Sequence, residues 1–178
     1  RTTFIIPRKI LEGYKLKKNS ADQAVIEYDS ETWAVTIKHE NTQQTFQAVD
    51  GTFPDYTRVI PSGNTRKLEV DASEFARAVD RVATVSSERS RAVKLSLDED
   101  RLILSVNAPD SGAAEEELAV AYGDEKLEIG FNAKYLLEIA SQVDRENAVF
   151  LFNSSGDPTL MREGNDTSAI YVVMPMRV

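Results

Sequence analysis

The order strand–helix–strand–strand–strand recurs three times along these 178 residues, and no other property narrows the possible fold as much. The expected helix starts at Pro7, Asp71 and Asn132 lie 64 and 61 residues apart. In the first repeat Thr3–Ile6 reads as a strand. Pro7 suits a helix start, because its missing N–H would be unpaired there anyway. A helix is expected to about Lys18, with Ile10, Leu11 and Tyr14 on one side. Strands near Ala24–Tyr28, Thr32–Lys38 and Gln43–Val49 then alternate apolar and polar residues.

The second repeat opens with Lys67–Val70, followed by a capping-box-like helix start from Asp71 to Glu74. Phe75, Val79 and Val82 recur at helical spacing. Strands are expected near Val93–Leu97, Leu102–Val106 and Glu116–Ala121. The third repeat opens with Lys126–Gly130, and Asn132 caps a helix with Tyr135, Leu136, Ile139, Ala140 and Val143 on its buried side. Strands near Ala148–Phe152, Thr159–Arg162 and Ala169–Met174 complete it. The fold class is therefore α+β. One repeat buries too little apolar surface to stand alone, while two can close a domain with sheets on one face and paired helices on the other. Three repeats leave an odd half, which implies a missing partner repeat upstream. Ile60–Thr65 is rich in turn formers and is the expected linker.

Chemistry is harder to find. There is no cysteine, and His39 is the only histidine, so thiolate sites, multi-histidine metal sites and Ser-His-Asp catalysis are effectively excluded. No apolar run approaches the ~20 residues of a membrane-spanning helix. Asp and Glu fall in turns such as Asp98–Asp100 or in the run Glu115–Glu117, where solvation is the ordinary role. His39 sits between Lys38 and Glu40 at the end of an expected strand and reads as a surface residue. Serines 86, 87, 90, 154 and 155 lie in loops with no nucleophile elbow, and no phosphate-binding glycine pattern occurs. No reaction and no cofactor is expected.

The formal charge is −8, which on its own argues against a nucleic-acid partner. Its distribution points elsewhere. Residues 1–20 hold Arg1, Arg8, Lys9, Lys15, Lys17 and Lys18 against Glu12 alone, while the rest of the chain carries 15 basic and 28 acidic residues. Such a stretch is either a phosphate-facing patch or a solvated helix face. Two apolar segments also stand out: Phe53–Val59, and the end of the chain, Tyr171–Val178, with methionines on both sides of Pro175. The tail could be an adaptable surface for another protein's side chains. On the residues alone, a final strand tucked into the core is the stronger reading.

Three stretches, GTFPDYTRVIP (51–61), IGFNAKYLLEI (129–139) and YVVMPMR (171–177), resemble signature segments of the bacterial sliding clamp family, the beta subunit of DNA polymerase III. The resemblance runs in register through the whole chain. It implies DNA-clamp domains, with residues 1–62 as the second half of the family's middle domain and 63–178 as its third. The sequence is then expected to be part of a longer chain. The family forms a head-to-tail homodimeric ring of non-catalytic subunits, cytoplasmic and without a membrane role. Helices line its hole around duplex DNA, sheets form the outer wall, and the replicative polymerase, the clamp loader and other motif-bearing proteins dock on it.

The resemblance also assigns residues. Arg8 and Lys9 match basic positions of the DNA-lining helix, with Lys15, Lys17, Lys18, Arg77, Arg81 and Lys134 as weaker matches. Contacts of this kind neutralise phosphates without reading bases. The partner-peptide groove between the middle and third domains is matched by Pro54, Arg58, Val59, Asn132, Tyr135, Pro158, Val172, Met174, Pro175, Met176 and Arg177. The subunit interface is matched by Thr84 and Val85, with Ser90 and Glu115, Glu116 and Glu117 nearby; some clamps of the family place larger apolar or aromatic residues where Thr84 and Ser90 stand. A stand-alone peptide-binding adaptor of the same fold is the alternative. A carboxylate-based hydrolase has only scattered acids in its favour.

Overall fold

The computed structural model describes residues 3–12, 23–86, 91–143, 147–164 and 166–178. Two compact units are present, Arg1–Asp55 and Tyr56–Val178. In the first, a short helix α1 (Arg8–Glu12) follows Pro7, whose carbonyl accepts from the Ile10 amide at 3.0 Å. The three expected strands form an antiparallel meander, β1 (Val25–Asp29), β2 (Ala34–His39) and β3 (Thr42–Gln47), in the order β1-β2-β3. Asp29 closes the first turn by accepting from the Glu31 amide and the Thr32 hydroxyl, which holds its carboxyl below the ordinary value. The core is small: Val35, Ile37 and Ala48 are buried, with Phe4, Ile10, Tyr28 and Phe46 packed against them.

Two expectations for this unit need correction. The stretch from Thr3 to Ile6 makes only an isolated bridge, Ile5 to Val49, rather than a strand. Leu11 is exposed, so it does not share the inward side of α1 with Ile10. Tyr14, Lys15, Lys17 and Lys18 lie outside the described residues.

The second unit is built from the other two repeats. The first of them comprises β4 (Arg66–Asp71), α2 (Ala72–Ala83), β5 (Ala92–Asp98), β6 (Arg101–Ala108) and β7 (Gly112–Ala119), with a short β8 (Ala121–Tyr122). The second comprises β9 (Leu127–Asn132), α3 (Ala133–Ala140), β10 (Asn147–Phe152), β11 (Thr159–Glu163) and β12 (Tyr171–Val173). Both helices start as the sequence predicts. Asp71 Oδ1 accepts from the Glu74 amide at 2.7 Å, and Asn132 Oδ1 accepts from the Lys134 amide at 2.9 Å. Each satisfies one otherwise orphaned donor of a helix N-terminus.

The repeats exchange their opening strands. β4 pairs with β10 of the other repeat, and β9 pairs with β5. The result is a five-stranded sheet, β12-β11-β10-β4-β8, and a four-stranded sheet, β7-β6-β5-β9, all antiparallel. A single repeat would leave β4 with only the two-residue β8 beside it and β9 with only the bridge to Met176, so the two fold as one body. Along β5 buried and half-buried residues alternate strictly, placing Val93, Leu95 and Leu97 inward. α2 buries Ala72, Phe75, Ala78, Val79 and Val82 and packs against α3, as the paired-helix layer requires. Phe150 lies at the centre, 5.1 Å between ring centroids from Phe75 and 6.0 Å from Phe152.

On α3 the buried positions are Ala133, Leu136 and Ala140. Tyr135, expected on that side, is instead 54% exposed. The tail also departs from the plainer reading: Val173 is buried, but Met174 is 62% exposed. Leu136→Ala should cost about 2–5 kcal/mol of unfolding free energy. Tyr135→Ser on the preceding residue should stay within about 0.5 kcal/mol. Paired thermal or urea melts check both, and equal losses would contradict this assignment of helix faces.

Candidate functional site

Tyr135 stands off the core because the buried stripe of α3 runs through positions 133, 136 and 140. Residues three and four further along a helix share a face, so Glu138 and Ile139 join Tyr135. Opposite them is β12, the outermost strand of the five-stranded sheet. Between helix and strand lies an open recess of about 360 Å³ lined by Tyr135, Glu138, Ile139, Val172, Val173 and Met174. Its walls are apolar except for the tyrosine hydroxyl and one carboxylate. It can take aliphatic or aromatic side chains and offers Glu138 to an amide or a cation.

Past Met174 the chain leaves one sheet for the other. The Met176 amide donates to the Gly130 carbonyl at 2.8 Å, an isolated antiparallel bridge to β9, the edge strand of the four-stranded sheet. Pro175, Met176 and Arg177 line a second recess of about 580 Å³, together with Gly130, Lys94 and Glu128. The Lys94–Glu128 ion pair, 2.8 Å, holds the Glu128 carboxyl below the ordinary glutamate value.

The structure thus brings Tyr135, Val172 and Met174 into one recess and Pro175, Met176 and Arg177 into its neighbour. Asn132 is the half-buried cap at the foot of α3. Pro158 is half-buried, and its carbonyl accepts from Asn64 Nδ2 at 2.8 Å. Asn64 also donates to the Leu151 carbonyl, which ties the turn-rich stretch 60–65 to the second unit. Arg58 and Val59 are exposed in a 3-10 turn, Tyr56–Val59, while Pro54 belongs to the first unit. Glu138 and Val173 are lining residues absent from the sequence-based assignment, and Ile139, expected on the buried side of α3, is half-buried against the core and also lines the recess. Helical spacing from Tyr135 was the signal for Glu138 and Ile139.

The basic candidates are less uniform. Lys9 and Arg8 are exposed on α1, with Arg8 Nε 2.7 Å from Glu12 Oε1. On α2, Arg77 donates to Ser73 Oγ at 3.1 Å. Arg81 is held by Glu116 of β7 in a two-point ion pair, with Nε 2.9 Å from Oε2 and Nη2 bonded to Oε1. Lys134 Nζ lies 3.8 Å from Glu138. Thr84 ends α2 with its hydroxyl on the Arg81 carbonyl at 2.7 Å, and Val85 packs on the core. Glu115 and Glu117 point outward from β7, an edge strand. Ser90 lies outside the described residues. A larger recess of about 600 Å³ between α2 and α3 is lined by Asp80, Thr84, Arg91, Lys134 and Glu138 among others, a mixture of opposite charges. Among the described residues no group of His, Asp or Glu is arranged to hold a metal ion, and no helix is long and apolar enough to cross a membrane.

A domain of two strand-exchanged repeats, with an apolar recess between a helix and its last edge strand, has the architecture of a DNA clamp. The family model for the DNA polymerase III beta subunit, C-terminal domain, matches residues 57–177. The beta sliding clamp of Caulobacter vibrioides is 41% identical over 175 residues, covering 98% of this chain and 46% of that protein. That of Pseudomonas aeruginosa is 36% identical over 185 residues, covering 100% and 48%. Among solved structures, the DNA polymerase sliding clamp of Caulobacter crescentus superposes with a TM-score of 0.88 at 40% identity, over 98% of this chain and 46% of that one. The Bartonella birtlesii clamp bound to griselimycin gives 0.83 at 47% identity, over 87% and 41%. The chain belongs to the beta sliding clamp family, the DNA polymerase III beta subunits of DNA replication. It spans about half the length of the curated relatives it matches.

The ion pairs that frame the second unit give a pH prediction. The Arg81 guanidinium holds Glu116 below its ordinary value, and Lys126, 2.8 Å away, does the same for Asp98. Both carboxylates bind fewer protons folded than unfolded. Their stabilisation is complete above about pH 5 and is lost as pH falls through their depressed folded-state values. Glu116→Gln should therefore lower the melting temperature modestly at neutral pH, with the gap to the parent protein closing on acidification. A gap that stays constant down to pH 3 would contradict the pairing.

Proposed function

We propose that the chain acts as part of a DNA sliding clamp, a non-catalytic cytoplasmic processivity factor that encircles duplex DNA in its assembled homodimeric ring. On this reading it receives short linear peptides of the replicative polymerase, the clamp loader and other partners. Residues 1–62 belong to the middle clamp domain and 63–178 to the third; the compact unit and the matched family model begin slightly earlier, at Tyr56 and residue 57. The observation that carries the reading is the recess between α3 and β12, where Tyr135 and Met174 stay exposed beside Val172 in a chain of this family.

The recess supplies affinity through apolar burial, at roughly 25 cal/mol per Å². Adaptable thioethers let one surface take anchors of different shape. Asn132, Pro158, Arg58, Val59 and Pro54 are further proposed contact positions, matched through the family. DNA contact is assigned to a different surface and works by different physics. Arg8 and Lys9 neutralise phosphates by displacing counterions, without reading sequence. The topological linkage of a ring supplies retention, so each contact can be weak. Arg77 and Lys134 are available to the same role. Arg81 is committed to Glu116 and would have to exchange that partner for a phosphate. Ring closure is assigned to the open edge of β7 with Glu115–Glu117, next to Thr84 and Val85.

Met174→Ala should weaken binding of a leucine- and phenylalanine-containing peptide by about tenfold, measured by fluorescence anisotropy, the loss expected for one buried anchor contact. Undiminished affinity would remove the recess as the site. In the assembled ring, Arg8→Ala with Lys9→Ala should reduce the slope of log affinity for duplex DNA against log salt by about one to two. An unchanged slope would take α1 out of the DNA-facing set.

A further inference from the structure

Gly130 is a buried residue of β9, with ordinary extended backbone rather than a left-handed conformation. Nothing in the strand itself calls for glycine. The internal repeat makes the point, because Glu69 occupies the matching position of β4, two residues before the cap Asp71 as Gly130 is two before the cap Asn132. The two positions also face matching crossings. After β7 the chain passes from the four-stranded sheet to the edge of the five-stranded one, and Ala121 of β8 pairs with Glu69. After β12 it passes the opposite way, and Met176 pairs with Gly130.

The crossings differ in closeness. A methyl group built on Gly130 would overlap the Val178 side chain and stand 2.6 Å from the Met176 carbonyl oxygen. The valine could turn aside. The carbonyl is backbone and cannot move without releasing the bridge whose other half is the Met176 amide on the Gly130 carbonyl, 2.8 Å.

We infer that Gly130 is a positioning residue for the peptide recess: its missing side chain lets the end of the chain seat against β9. The two residues between β12 and that anchor, Met174 and Pro175, are then held out from the sheet. Without the anchor nothing fixes them beyond Val173, and the exposed methionine is free to fold back over Val172 and Tyr135. The backbone bridge thus preorganises the recess, whatever the Met176 side chain itself contacts, and preorganisation raises affinity by lowering the ordering cost of binding. The inference rests on the peptide-site reading above but is tested separately from it.

Gly130→Ala should keep the circular dichroism and cooperative melt of the parent. Hydrogen exchange at the Met176 amide should lose its protection, and a leucine- and phenylalanine-containing peptide should bind about tenfold more weakly. Should the alanine variant not fold, replacing the Met176 amide by an ester removes the bridging donor to the Gly130 carbonyl, keeps every side chain of the recess, and should give the same loss. A protected Met176 amide in Gly130→Ala, or full peptide affinity in either folded variant once Met174→Ala has shown a loss, overturns the inference. If Met174→Ala is itself silent, the peptide-site reading fails, and amide protection alone decides whether Gly130 seats the tail.

Discussion

The exchange of opening strands between repeats is the constraint on which the rest of the second unit depends. β4 completes its sheet only beside β10, and β9 only beside β5, so neither repeat can satisfy its backbone donors and acceptors alone. The exchange sets the two helices side by side and puts their apolar stripes on one shared core. It also decides which strands end up as edges. β7 and β12 are terminal in their sheets because the places beside β5 and β10 are already taken.

An edge strand leaves hydrogen-bonding groups without partners and has to be covered, charged or used. The chain treats its edges differently. β7 carries three consecutive glutamates, two facing outward and one locked to Arg81. β9 is covered by the tail at Met176. β12 stays short and apolar beside an exposed tyrosine and methionine, and that is where the recess lies. The features proposed as functional are therefore what remains after the strand exchange has been satisfied, not additions to it.

The elements themselves were largely legible in the sequence. The Phe75, Val79 and Val82 stripe and the caps Asp71 and Asn132 are local signals, and α2 and α3 start where these residues place them. Alternation likewise placed β5, β6 and β11 closely, because each buries one face, while β10 is marked by its continuous apolar run, with Ala148, Val149 and Phe150 all buried. The exchange was not legible, since pairing partners lie far apart along the chain. The Arg81–Glu116 ion pair was missed for the same reason. Tyr135 is the instructive error: an aromatic residue at near-core spacing reads as core, and only the actual rotation of α3 turns it outward. On the residues alone the tail reads as a strand tucked into the core, because a strand ending in apolar residues gives no local sign that Met174 projects from the sheet; only the family resemblance assigns that methionine to a groove. Both residues fall at the recess, where local pattern and tertiary position disagree.

On the proposed function, the surface around Met174 and Met176 receives apolar peptide side chains while the core does not. The chain's three methionines test it directly, since Met161 is completely buried and serves as an internal control. With ¹³C-methyl-labelled methionine, NMR titration with a leucine- and phenylalanine-containing peptide should shift the Met174 methyl most and the Met176 methyl less, and leave Met161 in place. Saturable binding that leaves the Met174 and Met176 signals unmoved would contradict the account.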